Sequence, residues 1–196
     1  MKRFLKVGLV SLALAGTMAY AEMDDYSYDA HSLIGIEGGY GSFDFDHGLI
    51  GSTKNDSKNF GEYGIKIGAQ TTNYRLFLSA RQYAVSDFDN AYSFGAEGQY
   101  LINASKYMNI FVGLNIGTMN FKFKADPTVS KVTDKTGYFG GDIGVNLHVM
   151  EELDLEIGAR YMHLGYDYKN TTTTAVGNID HMVNGYASLI YKFKMD

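Results

Sequence analysis

Cysteine is missing from this chain, and Pro127 is the one proline among its 196 residues. The first absence excludes a disulfide framework and fits an exported protein that needs none. The second suits a sheet, because proline cannot donate to a strand ladder and is kept out of sheet interiors. Beyond Ala21 there is no run of about 18 apolar residues, which excludes a transmembrane helix from that part of the chain. The formal net charge of -5 is mild and dispersed along the sequence, so no nucleic-acid partner is expected.

What the chain has instead is strand material: 23 glycines, 16 tyrosines and 12 phenylalanines. Its first residues read differently. Lys2, Arg3 and Lys6 are basic, Val7–Ala15 is a short apolar core, and Ala19-Tyr20-Ala21 is a small-x-small cleavage pattern. That order is the order of a secretory signal, and the apolar run is too short to span a bilayer as a helix. Residues 1–21 are therefore expected to be a cleaved signal peptide. Residues 22–196 are expected to form one domain.

From Ser32 onward the chain alternates between apolar residues and polar residues or glycine. In Asn109–Gly117 one row is Ile110, Val112, Leu114 and Ile116; the other is Asn109, Phe111, Gly113, Asn115 and Gly117. A period of two is an extended strand whose faces meet different surroundings. The pattern predicts eight strands, at Ser32–Phe43, Phe60–Gln70, Asn73–Tyr83, Ala91–Ile102, Met108–Phe123, Thr136–Val149, Leu153–Tyr168 and Ile179–Phe193. Asp44–Asn59, Ala84–Asn90, Lys124–Lys135 and Lys169–Asn178 then form the longer connectors, all on one rim, with His47 in the first of them. Alternating tight turns and longer loops belong to outer-membrane barrels. A ten-stranded barrel follows if Asp44–Asn59 hides a further hairpin.

The two rows decide which way the sheet is turned. The apolar rows carry Ile34, Ile36, Ile65, Ile67, Leu76, Leu78, Leu114 and Ile143, with Tyr40, Tyr63, Tyr74, Tyr92, Tyr100, Tyr161, Tyr191 and Phe193 near their ends. Aromatic residues so placed are expected to form the girdles that sit at headgroup level against outer-membrane lipid. The opposite rows hold Glu37, Glu62, Glu97, Asp142, Asp154 and Glu156 with Lys66, Arg75, Arg81, Arg160 and Lys192. A soluble barrel or sandwich would turn these charges to water. Against that reading, the polar rows are also rich in glycine, including Gly35, Gly64, Gly95, Gly117, Gly144 and Gly158. Glycine is of use where a narrow lumen must hold long side chains. The fold expected is all-β, a closed antiparallel eight-stranded transmembrane barrel, with Glu37, Glu62, Lys66, Arg75, Arg81, Glu97, Asp142, Glu156 and Arg160 forming ion pairs across its lumen.

On these strands, connectors and rows, the chain resembles the small eight-stranded outer-membrane barrels, the OmpA-like transmembrane domain and its OmpX-like relatives. The resemblance implies a bacterial outer-membrane location and charges that pair across the lumen. It also implies that the closing strand Gly185–Phe193, with Tyr191 and Phe193, is read by the barrel-assembly machinery, although Lys194, Met195 and Asp196 follow it. Such barrels serve as anchors, adhesins and receptors, and some as enzymes.

No catalytic set is expected. His31, His47, His148, His163 and His181 do not pair with a serine and an acid, and no H-x-x-x-H pair offers a metal site. No cofactor is expected either. The expected role is structural or one of surface interaction, with a filled lumen and a ligand met through the longer loops. A low-conductance channel is the alternative, and a lipid-modifying enzyme a more distant one.

Overall fold

A computed structural model describes residues 30–49, 52–85, 88–123, 133–169 and 175–194. The expected signal peptide lies outside the described residues, as do Met195 and Asp196. The described residues form eight strands and no helix: β1 (His31–Leu49), β2 (Ser52–Gln70), β3 (Tyr74–Ala84), β4 (Phe88–Ser105), β5 (Met108–Phe123), β6 (Thr133–Met150), β7 (Leu153–Lys169) and β8 (Ala175–Lys194). Each pairs antiparallel with its neighbour, and β8 returns to β1 to close the barrel. A closed barrel leaves no unpaired backbone edge in the apolar slab, which is what lets strands cross a membrane.

The orientation follows the alternation. Leu114 is 76% exposed, whereas its neighbour Asn115 is buried. Across all eight strands the apolar rows face outward and the charged rows face the lumen.

The strands run further than the alternation does. β1 and β2 pair without interruption from His31↔Gln70 to Leu49↔Ser52. Of the expected connector Asp44–Asn59, Asp44–Leu49 thus continues β1 and Ser52–Asn59 belongs to β2, and His47 lies within β1. The segment adds length to two existing strands and no new one, so the barrel has eight. In the same way Phe88–Asn90, Thr133–Lys135 and Ala175–Asn178 belong to strands. Strand pairing is made by the backbone, so the ladder continues where the sequence no longer keeps one row apolar and the period-two signal fades.

This extension splits the wall. β3 pairs with β2 only as far as Gly61↔Ala84, and β6 with β7 only as far as Tyr138↔Leu164. Beyond those points β7, β8, β1 and β2 form one protruding sheet and β4, β5 and β6 another. Together they make a two-part collar on the loop side.

Inside, at the base of this collar, sits an apolar cluster that includes Phe43, Phe60, Tyr83, Met119, Tyr138, Met162 and Met182. Phe60 lies with its ring centroid 6.1 Å from that of Phe43 and 5.6 Å from that of Tyr83. Truncating a buried aromatic removes transfer energy and leaves a cavity. Phe60→Ala is therefore expected to lower the barrel's unfolding free energy by about 3–5 kcal/mol, read from its urea midpoint in lipid vesicles; an unchanged midpoint would show that the cluster is not packed.

The inward glycines make room for rings. A Cβ at Gly95 or Gly117 would stand 2.1 or 2.6 Å from the Tyr138 hydroxyl, and one at Gly144 2.6 Å from the Phe111 ring. These glycines are seats for aromatic side chains that cross the lumen.

Candidate functional site

The lumen brings together all nine residues expected to pair there, and each is buried. Arg160 on β7 is the centre of the set. Its Nε donates to Asp142 Oδ1 at 2.9 Å, and its Nη1 to Glu37 Oε1 and Glu62 Oε1, each at 3.2 Å. Its Nη2 lies 3.5 Å from Glu97 Oε2. One guanidinium thus reaches carboxylates on β1, β2, β4 and β6. A planar fork with five donors can do this, and an ammonium cannot. The same guanidinium lies over the Tyr186 ring, 4.2 Å from its centroid.

Arg81 supplies a second bridge, donating to both Glu37 and Glu97 and, at 2.9 Å, to Ser79 Oγ. Lys66 Nζ donates to Glu156 Oε1 at 2.7 Å and stands 3.6 Å from Glu37 Oε2, linking the two carboxylates. Glu37 is therefore shared among Lys66, Arg81 and Arg160.

Nearer the tight turns the charges gather on Asp154. Its Oδ2 accepts from Arg75 Nη2 at 2.7 Å and Asn146 Nδ2 at 2.9 Å; its Oδ1 accepts from Lys192 Nζ at 2.8 Å and lies 2.8 Å from His148 Nδ1. Arg75 also reaches Glu156 Oε2 at 3.1 Å. One carboxylate so ties together four strands, β3, β6, β7 and β8. Asp154→Ala would take the shared carboxylate from two buried or half-buried cations, Arg75 and Lys192, so we expect a loss of about 3–5 kcal/mol, measured as a fall in the urea midpoint that Asp154→Asn only partly reverses. No change in midpoint would mean that the turn-side network is not held together in this way.

Reasoning from sequence missed several of these partners. Asn146, Asn184, Ser79 and Ser188 share inner rows with the charges and hydrogen-bond to them. Tyr186 and the loop-side apolar cluster were missed too. Their inward parity was the available signal, since Met119 and Phe121 share a row with Asn115.

The eight aromatics expected at the membrane boundaries all face outward. Tyr40, Tyr63, Tyr92 and Tyr161 stand in the loop-side half, and Tyr74, Tyr100, Tyr191 and Phe193 near the turns. Tyr74 and Tyr100 are paired at 5.3 Å between centroids, and Tyr191 donates to Glu152 Oε2 at 2.8 Å.

The histidines divide. His148 joins the lumen network, whereas His163 and His181 face outward as cross-strand neighbours packed on Phe139 and Tyr161. Among the described residues no group of three His, Cys, Asp or Glu side chains is placed to hold a metal ion.

This closed barrel, with charges inside and aliphatics outside, can be set beside known proteins. The outer membrane protein beta-barrel domain matches the sequence over residues 7–177. The chain belongs to that family. It is a bacterial outer-membrane β-barrel protein, and the soluble alternative is set aside. No curated protein sequence matches it.

Among solved structures, Neisserial surface protein A is similar at 18% identity, with 83% of this chain and 97% of that one covered and a TM-score of 0.61. The outer membrane protein OprG of Pseudomonas aeruginosa is similar at 16% identity, covering 86% and 98%, with a TM-score of 0.56. Outer membrane protein H of P. aeruginosa, also at 16%, covers 83% and 99% with a TM-score of 0.53. At such identities the likeness is one of fold.

Proposed function

We propose that this protein is a plugged, non-catalytic barrel that anchors its two-part collar at the cell surface, where the collar meets a ligand. The observation that carries this reading is the filled lumen. The charged side chains tie opposite walls together, and the apolar cluster lies above them on the loop side. An eight-stranded barrel is only wide enough for side chains to fill it. With the lumen filled by these side chains, recognition falls to segments held up by the rigid wall.

In this reading the lumen pairs are a static core and the outward tyrosines rest at headgroup level in outer-membrane lipid. The closing strand β8, with Tyr191 and Phe193, is the segment that the barrel-assembly machinery would engage. Shortening the collar at 44–59 or removing 124–132 should leave heat-modifiable gel migration intact and abolish binding to cells or to a surface ligand. Binding that survives both deletions would remove the surface role.

One observation favours a second reading, a gated low-conductance passage. Glu62 Oε2 and Asp142 Oδ2 are buried without a hydrogen-bond partner, so Arg160 has acceptors to which it could move. Planar-bilayer recording separates the two. The plugged reading expects no conductance above baseline from refolded protein; stepwise events that disappear in the Glu62→Gln variant would establish the passage instead.

A further inference from the structure

The outer wall of β2–β5 is not evenly covered. Near the turns, cross-strand neighbours form a row of outward residues, Ala69, Leu76, Gly98 and Leu114. Leu76 and Leu114 are exposed, while a Cβ built at Gly98 would have nothing within 4 Å. The missing side chain leaves a gap between two leucines, bounded on the turn side by the Tyr74–Tyr100 pair. A groove of about 490 Å³ follows this gap; its exposed lining is mostly apolar, because Arg75 and Gln99, which also line it, bury their side chains in the lumen.

The loop-side half of the same wall repeats the arrangement. There the row is Ile36, Ile65, Ala80 and Phe94, and the small residue is Ala80. Tyr63, Gln82 and Tyr92 form the boundary row. The groove is about 620 Å³. Each half of the wall thus has a recess at a small residue, closed toward the nearer membrane surface by tyrosines.

We propose that the Gly98 groove is a seat for one acyl chain of a phospholipid from the periplasmic leaflet, with the tyrosine hydroxyls of Tyr74 and Tyr100 meeting its ester region. In an outer-membrane barrel this wall faces the bilayer, so its occupant comes from the bilayer. The groove offers no charge to a peptide or a sugar, and its leucine sides and open floor suit an unbranched chain. The flanking hydroxyls lie at the end where that chain joins its polar head. The chain follows the wall between Leu76 and Leu114 because Gly98 lets it approach the backbone, as small residues do between packed membrane segments.

The test uses the full mature barrel in dimyristoylphosphatidylcholine nanodiscs, released in native mass spectrometry at an energy that strips loosely held lipid. The wild type is expected to retain lipid that Gly98→Leu loses. Ala69→Leu, which fills the same groove from β2, should lose it as well. Ala187→Leu, on the far wall, adds the same bulk outside the groove and should retain lipid like the wild type. Equal retention by all four proteins would overturn the proposal, as would an equal loss in Ala187→Leu. Either groove-filling variant suffices if the other fails to fold.

Discussion

Replacing Arg160 with methionine should cost the barrel about 3–5 kcal/mol of unfolding free energy. The side chain is 1% exposed, and it sits among Glu37, Glu62, Glu97 and Asp142. Arg81 and Lys66 also serve Glu37, and Arg81 serves Glu97, but among the ion pairs of the described residues Asp142 and Glu62 pair with Arg160 alone. Methionine keeps much of the volume, so the loss reports on the charge, its hydrogen bonds and its stacking on Tyr186. What remains is a set of like charges held out of water, the costly way to break a buried pair. Arg160→Lys should recover only part of the loss, since one ammonium cannot reach carboxylates on four strands. Urea titration in lipid vesicles reads this directly. A midpoint within error of the wild type in Arg160→Met would show that the network does not hold the barrel together.

An inward glycine should be as intolerant. A Cβ at Gly144 would lie 2.3 Å from the Ile157 carbonyl oxygen and 2.6 Å from Phe111 Cζ. The first contact is backbone of the neighbouring strand and cannot swing aside; the second is a ring held in a closed lumen. Overpacking a filled core costs about 1–3 kcal/mol and sometimes more, and Gly144→Val should fall at or beyond the top of that range. We expect it to appear as a large unfolded fraction on unboiled gels. Gly61 faces outward with nothing within 4 Å of a built Cβ, so Gly61→Ala should stay within about 0.5 kcal/mol. Equal tolerance at both positions would contradict the inward facing of the glycine rows.

Those two predictions rest on different degrees of legibility in the sequence. The facing of Gly144 and Arg160 could be read from alternation, because in the apolar slab one face meets lipid and the other does not. The strand ends could not. Ser52–Asn59 is polar at every position, so its place in β2 comes from the ladder with β1 rather than from its own pattern. The identity of the partners was also hidden. Arg160 and Glu37 are 123 residues apart, and only barrel closure brings them together.

The apolar cluster was hidden for a third reason. Phe60 and Met162 sit on rows that the charges had marked as polar, and Met119 on one marked so by Asn109 and Asn115, so the average character of a row concealed its loop-side end. The alternation reported the environment outside the wall faithfully and the interior only in part.

The central claim is that the sheet is turned apolar side out. The absence of native cysteine makes it directly measurable, since a nitroxide can be attached at one introduced cysteine at a time. The most decisive span is Asn109–Gly117 on β5, in refolded protein in lipid vesicles, with collision rates recorded against oxygen, which concentrates in the bilayer, and against a polar nickel chelate. Oxygen maxima are expected at Ile110, Val112, Leu114 and Ile116, with slow collisions against both reagents at Phe111, Gly113 and Asn115. Maxima at the odd positions, or high nickel accessibility at Leu114, would contradict the central claim.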